Sequence, residues 1–315
     1  MDPSGVQDVA GRLKENIGRV IVGKEQVVEL LLVSLLCEGH VLLEDVPGIG
    51  KTMLAKSVAR SFGGSFKRIQ STPDLLPSDV TGIHYFNQKS CEFEFRPGPI
   101  IANIVLVDEI NRATPRTQSC LLESMQERQI TVDLETVPLP RPFLVIATQN
   151  PVELEGTFPL PEAQLDRFMF RIVLGYPTDA EEEEILSRFQ TSDPLEDLES
   201  VIEPMELIAL RDTCRRVYLD GAVRGYIVSL VNATRNHDGI RLGASPRASL
   251  SLSMASQALA AVRGRDYVIP DDVKFLAVPA LAHRLIPRTE ARLRGHTAEV
   301  IVKELLDTVP VPVEK

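Results

Sequence analysis

HVLLEDVPGIGKTMLAKSVAR, residues 40–60, decides how the rest of the chain is read. Val41, Leu42 and Leu43 form the short apolar run of a buried strand, residues 45–50 make a loop with Pro47, Gly48 and Gly50, and Lys51 opens a helical pattern. Strand, loop and helix in that order match the phosphate-binding form G-x-x-x-x-G-K-[ST] at Gly50, Lys51 and Thr52, and miss it at Asp45, where the first glycine should stand. A polyphosphate needs several donors converging on its oxygens, and backbone N–H groups reach it only where no Cβ blocks the approach. The helix beginning near Lys51 adds its unpaired N–H groups and the positive end of its dipole. Lys51 brings a full charge to the outer phosphates, and the Thr52 hydroxyl is a hard oxygen ligand suited to Mg²⁺.

Working outward, residues 100–109, IIANIVLVDE, carry the continuous apolar run of a central parallel strand, with Asp108 and Glu109 at its carboxyl end. In open α/β sheets that edge is where ligands bind. An Asp there holds Mg²⁺ through its water shell and the adjoining Glu accepts a proton from attacking water, although charged pairs also start ordinary helices. Residues 143–150, FLVIATQN, form another buried strand, whose terminal Asn150 would orient a water beside the last phosphate or make an ordinary Asn-Pro turn. Residues 160–171, LPEAQLDRFMFR, read as helical after Pro161. Arg167 near their end either stabilises charge on a transferring phosphoryl, in its own chain or a neighbour's, or pairs with Asp166 or Glu162.

Before the loop, the pattern gives a helix over 6–18, an extended turn at 21–23 and an amphipathic helix over 24–38. Residues 62–100 hold a Pro- and Gly-punctuated insertion in which Glu92, Phe93, Glu94 and Phe95 alternate like a strand, and 129–143 read as a hairpin after a helix over 118–127. The pattern changes at 175–178, taken as a domain boundary, with Thr178 as an N-cap and four glutamates loading the next helix's first turn. Five helical segments follow, over 204–217, 222–236, 246–263, 271–285 and 290–306. At the third, Ser245 is the N-cap, Pro246 the first helical residue and Arg247 a cation opposing the dipole, so an anion is expected beside it, a phosphate or a neighbouring carboxylate.

The composition sets bounds. With 315 residues, 44% hydrophobic and 25% charged, the chain has the makeup of a soluble globular protein of two domains. It carries 34 Lys and Arg against 44 Asp and Glu, a net charge of −10, with no basic cluster long enough to track a phosphate backbone; nucleic acid is a disfavoured partner. Cys37, Cys91, Cys120 and Cys214 lie far apart and read as reduced thiols. The polar N-terminus and the shortness of the longest apolar run, 30–37, point to the cytoplasm with no membrane insertion. The five histidines are scattered, and no role is assigned to them.

These strings in this order resemble the MoxR family of AAA+ ATPases: VGKEQ at 22–26, LLEDVPGIGKT at 42–52, LVDEINRATPRTQ at 106–118, ATQNP at 147–151, LPEAQLDRF at 160–168 and SPRA at 245–248. The resemblance implies an AAA+ P-loop NTPase domain with a parallel sheet over 1–175, then a smaller all-α lid over 176–315. It implies ATP and Mg²⁺, with Gly48, Ile49, Gly50, Lys51 and Thr52 as Walker A contacts, Asp108 and Glu109 as the Walker B pair, and Thr52 with Asp108 on the metal. Asn150 would be sensor 1, Arg167 (or Arg171) the arginine finger on a neighbour's nucleotide, Arg247 sensor 2, and Val22 with Gly23 the turn beside the adenine. Stretches 71–100 and 129–143 resemble the helix-2 insert and the hairpin before sensor 1, which face the ring pore. Such proteins form hexamers and act as chaperone-like partners of von Willebrand factor A domain proteins. A nucleotide-gated scaffold with little turnover and a motor acting on DNA stay open as alternatives.

Overall fold

The computed structural model describes residues 3–46, 48–133, 135–150, 156–190 and 193–312; Pro47 of the loop and Pro151 after Asn150 lie outside them. Helices α1 (Pro3–Gly18) and α2 (Glu25–Cys37) lead into β1 (His40–Glu44), α3 (Lys51–Ser61), β2 (Phe66–Gln70), α4 (Pro77–Thr81) and the hairpin β3 (Gly82–Asn87) and β4 (Glu92–Pro97). Then come β5 (Ile104–Asp108), α5 (Pro115–Glu127), the hairpin β6 (Gln129–Val132) and β7 (Glu135–Pro138), β8 (Leu144–Gln149), α6 (Glu162–Leu165) and β9 (Phe168–Ile172). The chain continues through α7 (Asp179–Phe189), α8 (Pro204–Cys214), α9 (Gly221–Asn236), β10 (Ile240–Leu242), α10 (Pro246–Val262), α11 (Pro270–Leu281), β11 (Ile286–Pro287), α12 (Thr289–Leu293) and α13 (Ala298–Thr308).

The central sheet has five parallel strands in the order β2-β5-β8-β1-β9. Their alternation divides the apolar residues between two cores. Val41, Leu43, Leu106 and Ile146 face α1, α2, α3 and the later helices, whereas Leu42, Val105, Val107 and Val145 face α5 and β6. Burial on both faces is why these runs are continuously apolar. Because the strands run parallel, Glu44, Gln70, Asp108 and Gln149 end on one edge, and Gly48 and Gly50 turn there with φ of 86° and 88°.

Three expectations are corrected. Residues 160–171 are not one helix: α6 has four residues, and 168–172 form β9 beside β1. Phe168, Met169, Phe170 and Ile172 are buried, and the sheet edge captures an apolar run that the preceding proline makes look like a helix start. Arg171 therefore stands on a strand, not one helical turn beyond Arg167. Residues 290–306 split into α12 and α13, because Gly295 takes φ 84° and Thr297 starts α13 by accepting the Val300 N–H. Strand β2, absorbed in the reading of 62–100 as an insertion, is a sheet edge whose Phe66-Lys-Arg-Ile-Gln buries only Ile69 well.

The two hairpins outside the sheet touch. His84 of β3 pairs through Nδ1 with Asp133 Oδ2 at 2.9 Å, in the turn between β6 and β7. Near the free end of the first hairpin Phe86 and Phe93 make an edge-to-face pair with centroids 5.4 Å apart, and Phe93 is 74% exposed.

Candidate active site

At the carboxyl edge of the sheet a cavity of about 270 Å³ is lined by Gly48, Gly50, Lys51, Thr52, Met53, Arg68, Gln70, Asp108, Glu109 and Asn150. The loop after β1, the start of α3 and the tips of β2, β5 and β8 thus bring together most of the residues picked out in sequence. Lys51 Nζ donates to the Asp45 carbonyl at 2.8 Å. Burial pushes the Lys51 pKa down, against the pull of Asp108, Asp45 and Glu109. Asp108 accepts from Arg68 Nη2 at 2.6 Å on one oxygen and from Thr148 Oγ1 at 2.7 Å on the other. Thr148 Oγ1 also accepts the Glu109 N–H at 2.8 Å, which fixes a residue held at φ 53°. The Glu109 carboxylate accepts from Arg112 Nη1 at 3.1 Å and from Gln70 Nε2 at 3.4 Å.

Magnesium fits this donor set. Among the described residues no cluster of three His, Cys, Asp or Glu could hold a metal unaided. Mg²⁺ asks for less: one or two protein oxygens, waters and substrate phosphates. Thr52 and Asp108 share the cavity; Asp108 Oδ2 accepts from both Arg68 Nε and Nη2, while Oδ1, with Thr148 as its one donor, keeps a lone pair for the metal's water shell.

Arg167 and Arg247 are elsewhere. They line a second cavity of about 260 Å³ with Glu38, His40, Met125, Arg128, Arg211 and Arg215 among others. Arg167 Nη1 donates to the Leu122 carbonyl at 2.8 Å. Asp166, its neighbour, is gripped from the later helices: Ser245 Oγ donates to it at 2.9 Å, Arg284 Nε lies 2.9 Å away and Arg247 Nη1 3.7 Å away. The anion expected beside Arg247 is thus a carboxylate in this structure. Glu38, 2% exposed, takes two bonds of 2.9 Å from Arg141 and ion pairs from Arg128 and Arg211. Burial alone would raise its pKa; these arginines outweigh it and hold the carboxyl below its ordinary value.

Val22 and Gly23 are not in the phosphate cavity either. They line a third, with Lys24, Glu184 and Arg188, and the Glu181 side chain packs against Gly23.

The family described as "ATPase family associated with various cellular activities (AAA)" matches residues 40–170, and "AAA lid domain" matches 232–305. Chaperone MoxR1 of Mycobacterium tuberculosis is 43% identical over 98% of this chain and 86% of its own. This chain belongs to the MoxR family of AAA+ ATPases. The uncharacterized protein YeaC of Bacillus subtilis is 53% identical over 97% of this chain and 95% of its own. A solved structure of an ATPase candidate from Cytophaga hutchinsonii superposes with a TM-score of 0.93 at 38% identity, covering 99% of this MoxR-family chain and 97% of that one. Among the described residues no helix is long and apolar enough to cross a membrane.

Three residues of this MoxR-family site escaped the sequence reading: Arg68, Gln70 and Thr148. Thr148 is the penultimate residue of β8, next to the strand tip that the sequence already marked by Asn150, and that position is the signal that could have found it. Arg68 and Gln70 stand in an i, i+2 relation, but only within a strand that was not foreseen.

Proposed function

We propose that this chain hydrolyses ATP with Mg²⁺, working as a homohexameric ring in the cytoplasm that remodels or matures a protein client, with a von Willebrand factor A domain protein as partner. The α/β nucleotide-binding domain runs to residue 175 and the helical lid from 176. One observation carries the reading: Lys51, Thr52, Asp108, Glu109 and Asn150 line a single cavity at the sheet edge, beside the two loop glycines. The loop N–H groups and Lys51 bind the phosphates, Asn150 orients the attacking water, and a Glu109 carboxylate oxygen takes its proton. Magnesium, when bound, would draw charge off the phosphates beside Thr52 and Asp108.

Arg167 and Arg247 complete a neighbour's site from the second cavity. The exposed Phe86–Phe93 pair on the insert hairpin supplies an aromatic surface for a client segment in the ring pore.

Phosphate release at saturating Mg–ATP, with nucleotide binding measured separately, tests the assignment. Lys51→Ala is expected to lose binding, and Glu109→Gln to bind but turn over about 10²–10⁴-fold more slowly. Parent-like hydrolysis by Glu109→Gln would remove Glu109 as the base, and a parent that binds without turnover would make the protein a nucleotide-gated scaffold.

A further inference from the structure

The loop's one departure from the general pattern, Asp45 in place of glycine, is built into the fold. Asp45 is buried at the exit of β1. Its Oδ2 accepts the Gly175 N–H at 2.7 Å, its Oδ1 accepts the Val46 N–H at 3.0 Å, and its carbonyl is the partner of Lys51 Nζ at 2.8 Å. One residue earlier, Glu44 Oε2 accepts from Arg171 Nη1 at 2.8 Å, and Arg171 Nη2 donates onward to Glu299 in the first turn of α13. The backbone ladder between β1 and β9 ends at the Leu43–Ile172 pair. Beyond it, two consecutive side chains continue the connection, one to the chain leaving the sheet and one to a helix within the lid match.

The same departing chain is held from its other side. Lys24 Nζ donates to the Tyr176 carbonyl at 3.2 Å, and Glu181 of α7 packs on Gly23. So the phosphate loop and the 22–24 turn both grip residues 175–181. A glycine at position 45 would keep the loop's backbone freedom and leave the Gly175 N–H without its acceptor. Lys51 has three donors to share, and incoming phosphate oxygens compete for the one now spent on the Asp45 carbonyl.

We propose that Asp45, with Glu44, Arg171 and Glu299, couples occupancy of the phosphate loop to α13 and to the connection leading into the lid. Asp45 is a positioning residue, acting through Lys51 and Gly175; the proposal rests on the ATP reading above. Coupling of this kind is typically about 5–150-fold in affinity or population.

The test is hydrogen–deuterium exchange of α13 and residues 173–178, with and without a saturating non-hydrolysable ATP analogue and Mg²⁺. In the parent the analogue should slow exchange there. In Asp45→Gly and Glu299→Ala, which should still bind it, that response should shrink about fivefold or more. Asp45→Asn keeps an acceptor for the Gly175 N–H and should restore the response, a rescue that mere loop filling would not predict. Retention of the full response in Glu299→Ala, or a parent that binds the analogue with α13 unchanged, overturns the coupling. If Asp45→Gly fails to fold, Glu299→Ala, at a part-exposed site remote from the loop, decides alone. A parent that does not bind the analogue counts against the ATP reading, whereas binding without an α13 response counts against the coupling only.

Discussion

The phosphate cavity and the arginine-lined cavity are nearly equal in size, about 270 and 260 Å³, and opposite in character. The first sets Lys51 and Arg68 against Asp108 and Glu109, so its own charges are nearly balanced. The second collects Arg128, Arg167, Arg211, Arg215 and Arg247 around one carboxylate, Glu38. Burial presses the Arg211 pKa down; Glu38 pulls against it, while Arg215, Arg128 and Arg141 crowd the same guanidinium. One cavity has the groups proposed above to bind and cut a polyphosphate, and the other has cations in excess of its anions. The excess of cations in the second is what the proposed sharing of a site between copies would draw on.

The sharpest way to break this complementarity is Arg167→Ala. Its phosphate cavity is untouched, so nucleotide binding should persist while phosphate release falls about 10³-fold or more. Mixing then tells where the arginine acts. Assemblies of Arg167→Ala with Lys51→Ala protomers should regain part of the lost turnover if the two cavities of different copies meet. No recovery in demonstrably mixed assemblies would return Arg167 to its own chain.

The same contrast explains what was legible in the sequence. The phosphate cavity is made by short contiguous strings at strand tips, each with its own chemistry, so Gly48, Gly50, Lys51, Thr52, Asp108, Glu109 and Asn150 were readable before any contact was known, whereas Ile49 packs against the core instead of lining the cavity. The second cavity gathers Glu38 from the end of α2, Arg128 from the end of α5, Arg167 from before β9 and Arg211, Arg215 and Arg247 from the later helices. No spacing links them; only the packed core does. Arg68 and Gln70 were hidden for a related reason. An edge strand with one well-buried residue has neither the apolar run of a central strand nor clean alternation, and its identity comes from pairing with β5. In β9, burial by the neighbouring strand overrode a helix-like start.

A smaller effect separates the cavities by stability. Removing the Glu38 carboxylate, as in Glu38→Ala, strands Arg128, Arg141 and Arg211 around an apolar void. Breaking a buried pair this way costs about 3–5 kcal/mol. Chemical denaturation should show that loss, and the folded fraction should still bind nucleotide in the phosphate cavity. A loss below about 1 kcal/mol would mean that water already screens these pairs.

Acid should reach the second cavity first, through His40. This residue at the start of β1 is buried; its Nε2–H donates to the Met125 carbonyl at 2.8 Å, and its Nδ1 accepts the Val145 N–H at 3.0 Å. Only the neutral ring satisfies both, since a proton on Nδ1 would face the Val145 N–H. Burial therefore brings its pKa from 6.5 down to about 4; the Met125 contact and Glu38 oppose that, while Arg128 adds to it. A depressed folded-state pKa means that the unfolded chain takes the proton first. Stability is complete above the unfolded value and is lost as pH falls from about 6.5 toward 4. At about 1.4 kcal/mol per pH unit, the step from pH 6.5 to 5 should cost roughly 2 kcal/mol. Buried His283, whose pKa burial likewise pushes well below 6.5, contributes over the same interval, so unfolding free energies at pH 7.5, 6 and 5 are compared between the parent and a His40 variant. His40→Gln, less stable at neutral pH for want of one of the two bonds, should show a flatter dependence over that interval. If parent and variant fall in parallel, His40 is not the proton acceptor and the acid sensitivity lies outside this cavity.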